Sequence, residues 1–151
     1  MFAEDAAAAI TSIQTATGGK SVVIAPALAG MDFPYVASFL SSLPSLAASQ
    51  LTAISVHPYR DTNPETVTQD YEELENIIKS SLGYTKPIVE SEWGYSTAGV
   101  SLLEQAQYYS RIYLTNLMNR VPLSVLYDWQ DDGINPSNGE DCYGIIQNGN
   151  Q

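Results

Sequence analysis

The sequence predicts an α/β fold, a single domain of four βα units over residues 1–151 with a four-stranded parallel sheet and helical crossovers. Three observations carry this. Segments of helical character and short apolar runs alternate four times with no two strands in succession, the mark of a parallel sheet. Two of the runs are almost continuously apolar, as in strands buried on both faces. The polar and aromatic residues of interest, His57 and Tyr59, Glu92 and Trp93, Asp128 and Trp129, fall at the C-terminal ends of the runs. That is where (β/α) barrels carry their active sites, so the expected architecture is half of a TIM barrel. A doubly wound open sheet also binds ligands at strand C-termini. It lacks its usual support here, because no phosphate-binding glycine fingerprint is present and Gly18-Gly19 precedes a strand instead of following one.

Residues 4–17 are alanine-rich, with Ile10 and Ile13 three apart, and Gly18-Gly19 stops that helix. Ser21 to Ala25, a Val-Val-Ile run, reads as the first strand, and Gly30 turns the chain. Residues 33–47 read as a helix, with Val36, Phe39, Leu40 and Leu43 at helical spacing. Leu51 to Val56 is the second strand and leads into His57-Pro58-Tyr59-Arg60. Pro64-Glu65 opens the next helix, since proline suits a first turn. Tyr71, Leu74, Ile77 and Ile78 form its apolar stripe, and Gly83 ends it. Pro87 to Trp93 is the third strand; proline is tolerated at its first position and Gly94 closes it. Residues 101–119 form the longest helix, with Leu103, Ala106, Tyr109, Ile112, Tyr113 and Leu117 on one side. Tyr108, Tyr109 and Tyr113 read as packing groups. Pro122 to Trp129 is the fourth strand, followed by an acidic loop rich in glycine and asparagine.

Composition narrows the partners. The net charge of −11, from six Lys+Arg against seventeen Asp+Glu, argues against nucleic acid and anionic membranes. Ten tyrosines and two tryptophans against three phenylalanines tilt the chain toward aromatics with a polar handle, suited to a saccharide cleft and also ordinary at surfaces. The single cysteine, Cys142, excludes an internal disulfide and a multi-cysteine zinc site. With His57 the lone histidine, no metal and no cofactor is expected. No segment approaches the roughly 20 apolar residues that span a bilayer. The start, Met1-Phe2-Ala3-Glu4-Asp5, is acidic where a secretion signal would be basic, and Ala6 to Ala9 is too short for its apolar core. The expectation is a mature form without its signal, or an excised piece; the compartment stays open.

Residues 86–96, Lys-Pro-Ile-Val-Glu-Ser-Glu-Trp-Gly-Tyr-Ser, are the most informative stretch. They put Glu92 at the mouth of the third strand beside an indole, a pairing suited to sugar chemistry. Ile54 to Arg60, Lys86 to Gly94, and Leu123 to Trp129 with Asp131-Asp132-Gly133 and Glu140…Tyr143-Gly144 follow in a fixed order. Together they resemble the sixth, seventh and eighth strands of a clan A glycoside hydrolase, the retaining (β/α)8-barrel group with cellulase-like and xylosidase-like members. Val22-Val23-Ile24 takes the place of the fifth. The resemblance spans essentially the whole chain and implies a glycosidase acting on β-linked saccharides, often secreted. It implies Glu92 as the nucleophile that forms a glycosyl-enzyme. The chain departs from the pattern too. The family's acid/base glutamate follows the fourth strand in an Asn-Glu-Pro segment, which is absent here; Asn63-Pro64-Glu65 has the letters in another order after the wrong strand. Asp131 and Asp132 are among the nearby replacements for that acid.

The remaining candidates surround this centre. Glu90 is expected to share strand parity with Glu92 and to point into the interior below it, where it tunes Glu92, serves as acid or binds substrate, or else forms a buried pair with an arginine. His57 and Tyr59 also share parity and would line the mouth, bonding to sugar hydroxyls or to the nucleophile. Trp129 would stack under a pyranose ring, whereas Trp93 would pack outward against helices. Asp128 and Glu140, with Asp131, Asp132 and Asp141, form an acidic loop that is either solvated or sugar-binding, with calcium a further option.

Four strands cannot close a barrel. The open sheet exposes two edges and its inner residues to water. Two-fold association is the commonest remedy, so a homodimer with an eight-stranded barrel is expected, in which Asp128, Asp131, Asp132 or Glu140 of one copy faces Glu92 of the other. The rival functions are a catalytically silent carbohydrate-binding half-barrel and, on the open-sheet reading, a signalling or nucleotide domain.

Overall fold

The computed structural model describes residues 2–148. Helix α1 (Phe2–Ala16) precedes β1 (Ile24–Leu28), and α2 (Phe33–Ser42) and α3 (Ser45–Gln50) lead to β2 (Ala53–Val56). A 3-10 turn (Pro64–Thr66) and α4 (Val67–Leu82) lead to β3 (Ile88–Trp93), and α5 (Leu102–Met118) leads to β4 (Ser124–Leu126). A second 3-10 turn, Gly139–Cys142, lies in the closing loop. The strands pair in the order β1-β2-β3-β4, all parallel. This is the α/β architecture expected from the sequence, half of a TIM barrel with its helices packed on one face of the sheet.

Local chemistry sets the boundaries. The helix expected over 33–47 is two helices, because Pro44 bars the α conformation from the residue before it; Leu43 is extended at φ −72, ψ 131. Asp32 starts α2 by accepting the Tyr35 amide at 2.9 Å. Gly83 ends α4 in the left-handed region, φ 78. Ser101 and Glu104 form a reciprocal capping box at the start of α5. The first strand begins later than Ser21, since Val22 stays out of the sheet, and it runs past Ala25 through a bulge. Ile24 pairs with Ala53 and Ala27 with Ser55, so β1 carries one extra residue beside Pro26, which has no N–H to lose from the ladder. β4 is shorter than the Pro122–Trp129 run. At Asp128 the chain leaves the sheet to pair with its own loop, through Asp128 N to Tyr143 O at 3.3 Å and Ile145 N to Asp128 O at 3.2 Å.

The core lies between sheet and helices. Ile54, Val56 and Ile88 meet Phe39 and Leu40 of α2, Leu74 and Ile78 of α4, and Ile112 of α5. Full burial of such a side chain contributes about 1.5–3 kcal/mol. The packed face of α5 keeps Tyr109 and Ile112 of the expected stripe and turns away from the rest of it. Gln105, Tyr109, Ile112 and Asn116 are buried, while Leu103, Tyr113 and Leu117 are exposed together with Leu114 and Met118. Gln105 and Asn116 tolerate burial because each finds partners there: Gln105 Nε2 donates to Tyr95 O at 2.7 Å and Asn116 Nδ2 meets Ser124 Oγ at 3.0 Å. The inner face is only partly as expected. Ala53, Ser55 and Val89 on the central strands are buried, whereas Ala27 and Val125 on the edge strands are exposed.

Candidate active site

A bulge in β3 builds the centre. Glu90 pairs with Ser124 and Trp93 with Leu126, three steps along β3 against two along β4. The extra residue breaks the two-residue alternation of the strand. Ile88, Glu90 and Trp93 therefore contact the helix side, Ser91 faces Ser55 and His57, and Glu92 turns to the mouth. The expectation that Glu90 and Glu92 share a face is corrected by this bulge. Gly94 follows at a close approach: a Cβ there would collide with the carbonyl oxygen of Tyr127, so only glycine lets the exits of β3 and β4 meet.

The mouth brings together residues from three strands. The Tyr59 hydroxyl donates a short hydrogen bond to Glu92 Oε1. His57 Nδ1 lies 3.7 Å from Glu92 Oε2. Its other nitrogen, Nε2, meets Ser91 Oγ at 2.8 Å, and Ser91 Oγ meets Ser55 Oγ at 2.6 Å, so two serines hold the imidazole. Tyr59, Tyr127 and Tyr143 pack edge to face, with centroids 5.4–6.4 Å apart. Burial, and then the Glu92 carboxylate, push the Tyr59 phenol far above its ordinary range, so it stays a donor. Beside this cluster a cavity of about 420 Å³ opens between Tyr59, Arg60, Asp61, Ser96, Gly139 and Tyr143.

The acidic loop divides its carboxylates. Asp131 accepts the backbone amides of Gly144 at 2.9 Å and Asn148 at 3.2 Å, which closes the loop. Asp141 accepts the backbone amide of Asn135 at 3.1 Å and the side-chain amide Nδ2 of Asn138 at 2.5 Å. Asp132 accepts from the Tyr127 hydroxyl at 2.9 Å, and this bond pushes the phenol up to about 12. Asp128 Oδ1 is buried without a hydrogen-bond partner among the described residues. Burial, then Asp132 and Asp131, raise its pKa. Glu140 is exposed and acts through space on Tyr127 and Tyr143. Trp129 is 68% exposed just beyond β4. Trp93 is buried against Tyr95 on the helix side, with the Arg60 guanidinium 5.6 Å from its ring centre.

Glu90 stands apart from the mouth. It is 0% exposed and contacts Tyr71, Asn116 and Ser124, all uncharged, in place of the arginine expected. Arg60 pairs instead with Asp70 at 2.8 Å. Burial raises the Glu90 carboxyl to about 7 against the pull of its three hydrogen bonds. Sequence reasoning missed Ser55, Ser91, Tyr127 and Tyr143 as parts of the site. Their signal was position alone: inward parity for the serines, and a strand end and its loop for the tyrosines. No cluster of three or more His, Cys, Asp or Glu side chains suited to a metal occurs among the described residues.

No protein-family model matches the chain, and no curated protein does. Among solved structures it is similar to a family 39 glycoside hydrolase from the gut symbiont Bacteroides cellulosilyticus WH2, at 23% identity and a TM-score of 0.58 over 68% of this chain. It is also similar to a glucosidase from Croceicoccus marinus, at 21% identity and a TM-score of 0.66 over 97% of this chain. The chain spans 25% of the length of the first and 32% of the second. Likeness at this identity establishes the fold alone, a segment of a (β/α) barrel.

Proposed function

We propose that this protein is a glycoside hydrolase that cleaves β-linked saccharides through Glu92. The setting of Glu92 carries the reading: a carboxylate at the mouth of a central barrel strand, held by Tyr59, beside His57, among stacked tyrosines. In this reading Glu92 attacks the anomeric carbon while the glycosidic C–O bond breaks and the leaving oxygen takes a proton from an acid. Water then releases the sugar from the glycosyl-enzyme. Tyr59 orients the nucleophile, His57, Asp128 and Glu140 bind hydroxyls, and Trp129 offers its face to a pyranose ring.

The acid and the missing strands are supplied by a second copy. Each end of the sheet lacks what the other end offers. β1 and β4 are parallel edges, each paired on one side. Helix α1 precedes β1 and presents Phe2 and Ile13 to solvent, while α5 beside β4 presents Leu114, Leu117 and Met118. Two-fold pairing of β4 with β1 joins these apolar faces and makes an eight-stranded ring. It brings the acidic loop of one copy, with Asp131 and Asp132, toward Glu92 of the other; a retaining pair needs about 5–5.5 Å between carboxyl groups.

The test is a 2-deoxy-2-fluoro β-glycoside with a dinitrophenolate leaving group, which departs without protonation and so reports on the nucleophile alone. A covalent sugar on Glu92, lost in Glu92→Gln with the fold retained, supports the assignment. Labelling at another residue contradicts it. A second reading, a catalytically silent saccharide-binding half-barrel, draws on Asp131 and Asp132, whose oxygens are engaged within their own loop. Binding of saccharide without turnover of any aryl β-glycoside would favour it.

A further inference from the structure

Glu90 has no part in the chemistry just proposed, yet it is the only Asp or Glu among the described residues that is buried as a whole residue. Contacts close around it from three elements. Tyr71 Oη of α4 meets Glu90 Oε1 and, at 3.0 Å, Asn116 Oδ1. Asn116 Nδ2 of α5 meets Glu90 Oε2 and, at 3.0 Å, Ser124 Oγ. Ser124 Oγ of β4 meets Glu90 Oε2 at 2.6 Å.

Those are five contacts, and each needs one hydrogen between its two atoms. Tyr71 brings one hydrogen, Ser124 one and Asn116 two, which leaves the set one short. If Glu90 is ionised, two bare oxygens face each other in the buried core, Tyr71 Oη against Asn116 Oδ1 or against Glu90 Oε1. A protonated Glu90 supplies the missing hydrogen. Its Oε1–H donates to Tyr71 Oη, and the Tyr71 hydroxyl donates to Asn116 Oδ1. The Asn116 amide donates to Glu90 Oε2 and Ser124 Oγ, and the Ser124 hydroxyl donates to Glu90 Oε2. Exchanging the oxygen and nitrogen of the Asn116 amide leaves the ionised form two hydrogens short. One cation, Arg60, favours the ionised form through space, but its guanidinium is held by a carboxylate of its own. On the side of α4 and the loop after β2, Asp70 and Arg60 pair with each other at 2.8 Å. On α5, Arg111 pairs with Glu65 at 2.6 Å. From β4 only the Ser124 hydroxyl reaches in, and from β2 only Val56 pairs with Glu90.

We propose that Glu90 is held as a neutral carboxylic acid in the folded protein, and that the hydrogen-bond cycle it completes fixes the β3 bulge that turns Glu92 to the mouth. Glu90 is thus a positioning residue. As an acid it ties β3 to α4, α5 and β4 at the step where the strand changes face, and it places no second negative charge two residues from Glu92. The rise of its carboxyl toward neutrality through burial agrees with the hydrogen count. The protonation state stands without the glycosidase reading; only the consequence for catalysis rests on it.

The 151-residue protein and two variants test this. Glu90→Gln keeps an acceptor and supplies donor hydrogens at every pH, and Glu90→Leu removes the cycle. Carboxyl ¹³C NMR and infrared spectra between about pH 5 and pH 9 are expected to show one protonated carboxyl that titrates well above the ordinary range. That signal is absent from Glu90→Gln. The Ser91 and Glu92 amide resonances shift with the same titration in the wild type alone. Turnover of an aryl β-glycoside falls roughly tenfold or more in Glu90→Leu and is restored in Glu90→Gln. Titration of every carboxyl in the ordinary range, or a Glu90→Gln variant that melts below the wild type at every pH or fails to fold, overturns the proposal. If the glycosidase reading fails, no variant turns over, and the spectroscopic result still decides the protonation state.

Discussion

Glu92 and Glu90 are two residues apart on one strand and live in opposite environments. Glu92 is 35% exposed by its side chain and receives the Tyr59 hydroxyl, so a donor and solvent both reach it. A hydrogen bond to a charged group is worth about 1.5–3 kcal/mol, so Tyr59→Phe should lower kcat roughly tenfold to a hundredfold with the melting temperature little changed. Glu90 is raised from 4.5 to about 7. Between those values the folded chain keeps a proton that the unfolded chain has lost. Its contribution to stability is therefore complete below about pH 4.5 and is lost as pH rises to about 7, by about 3 kcal/mol. Chemical denaturation at several pH values should show this decline in the wild type and a flatter profile in Glu90→Gln.

At the scale of elements, α5 carries two stripes of helical period and buries the less apolar one. Ile112 is 2% exposed and Leu117 is 75% exposed. Ile112→Ala should cost about 2–5 kcal/mol in the unfolding of the chain, whereas Leu117→Ala should stay within about 0.5 kcal/mol for the monomer. The sequence made the order of elements legible, because Pro and Gly punctuate it and the strands are apolar runs. It also placed His57, Tyr59 and Glu92 together at the strand ends. What it hid depends on neighbours. Periodicity picked out Tyr109 and Ile112 but does not rank Leu103, Tyr113 and Leu117 against Gln105 and Asn116 when buried partners exist for the polar pair. Strict alternation put Glu90 beside Glu92, since a bulge is set by register against β4 and leaves no mark in β3 itself. The bonds that hold Asp131 were hidden as well, because the amides of Gly144 and Asn148 lie 13 and 17 residues further along the chain.

At the scale of the whole molecule, the sheet ends decide what the protein can do. In the dimer proposed above, the two parallel edges and the apolar faces of α1 and α5 would meet, and the ring would offer Glu92 a proton donor from across the barrel. Leu117→Glu should then yield a folded monomer that still takes the fluorosugar on Glu92 and no longer turns over substrates with poor leaving groups, as read by light scattering and product release. Native mass spectrometry of the protein after reaction with the dinitrophenyl 2-fluoro glycoside reads assembly and chemistry in one spectrum. The expected spectrum shows a species at twice the 16.4 kDa chain mass, each chain carrying one covalent sugar on Glu92. An unmodified species at the mass of one chain would contradict it.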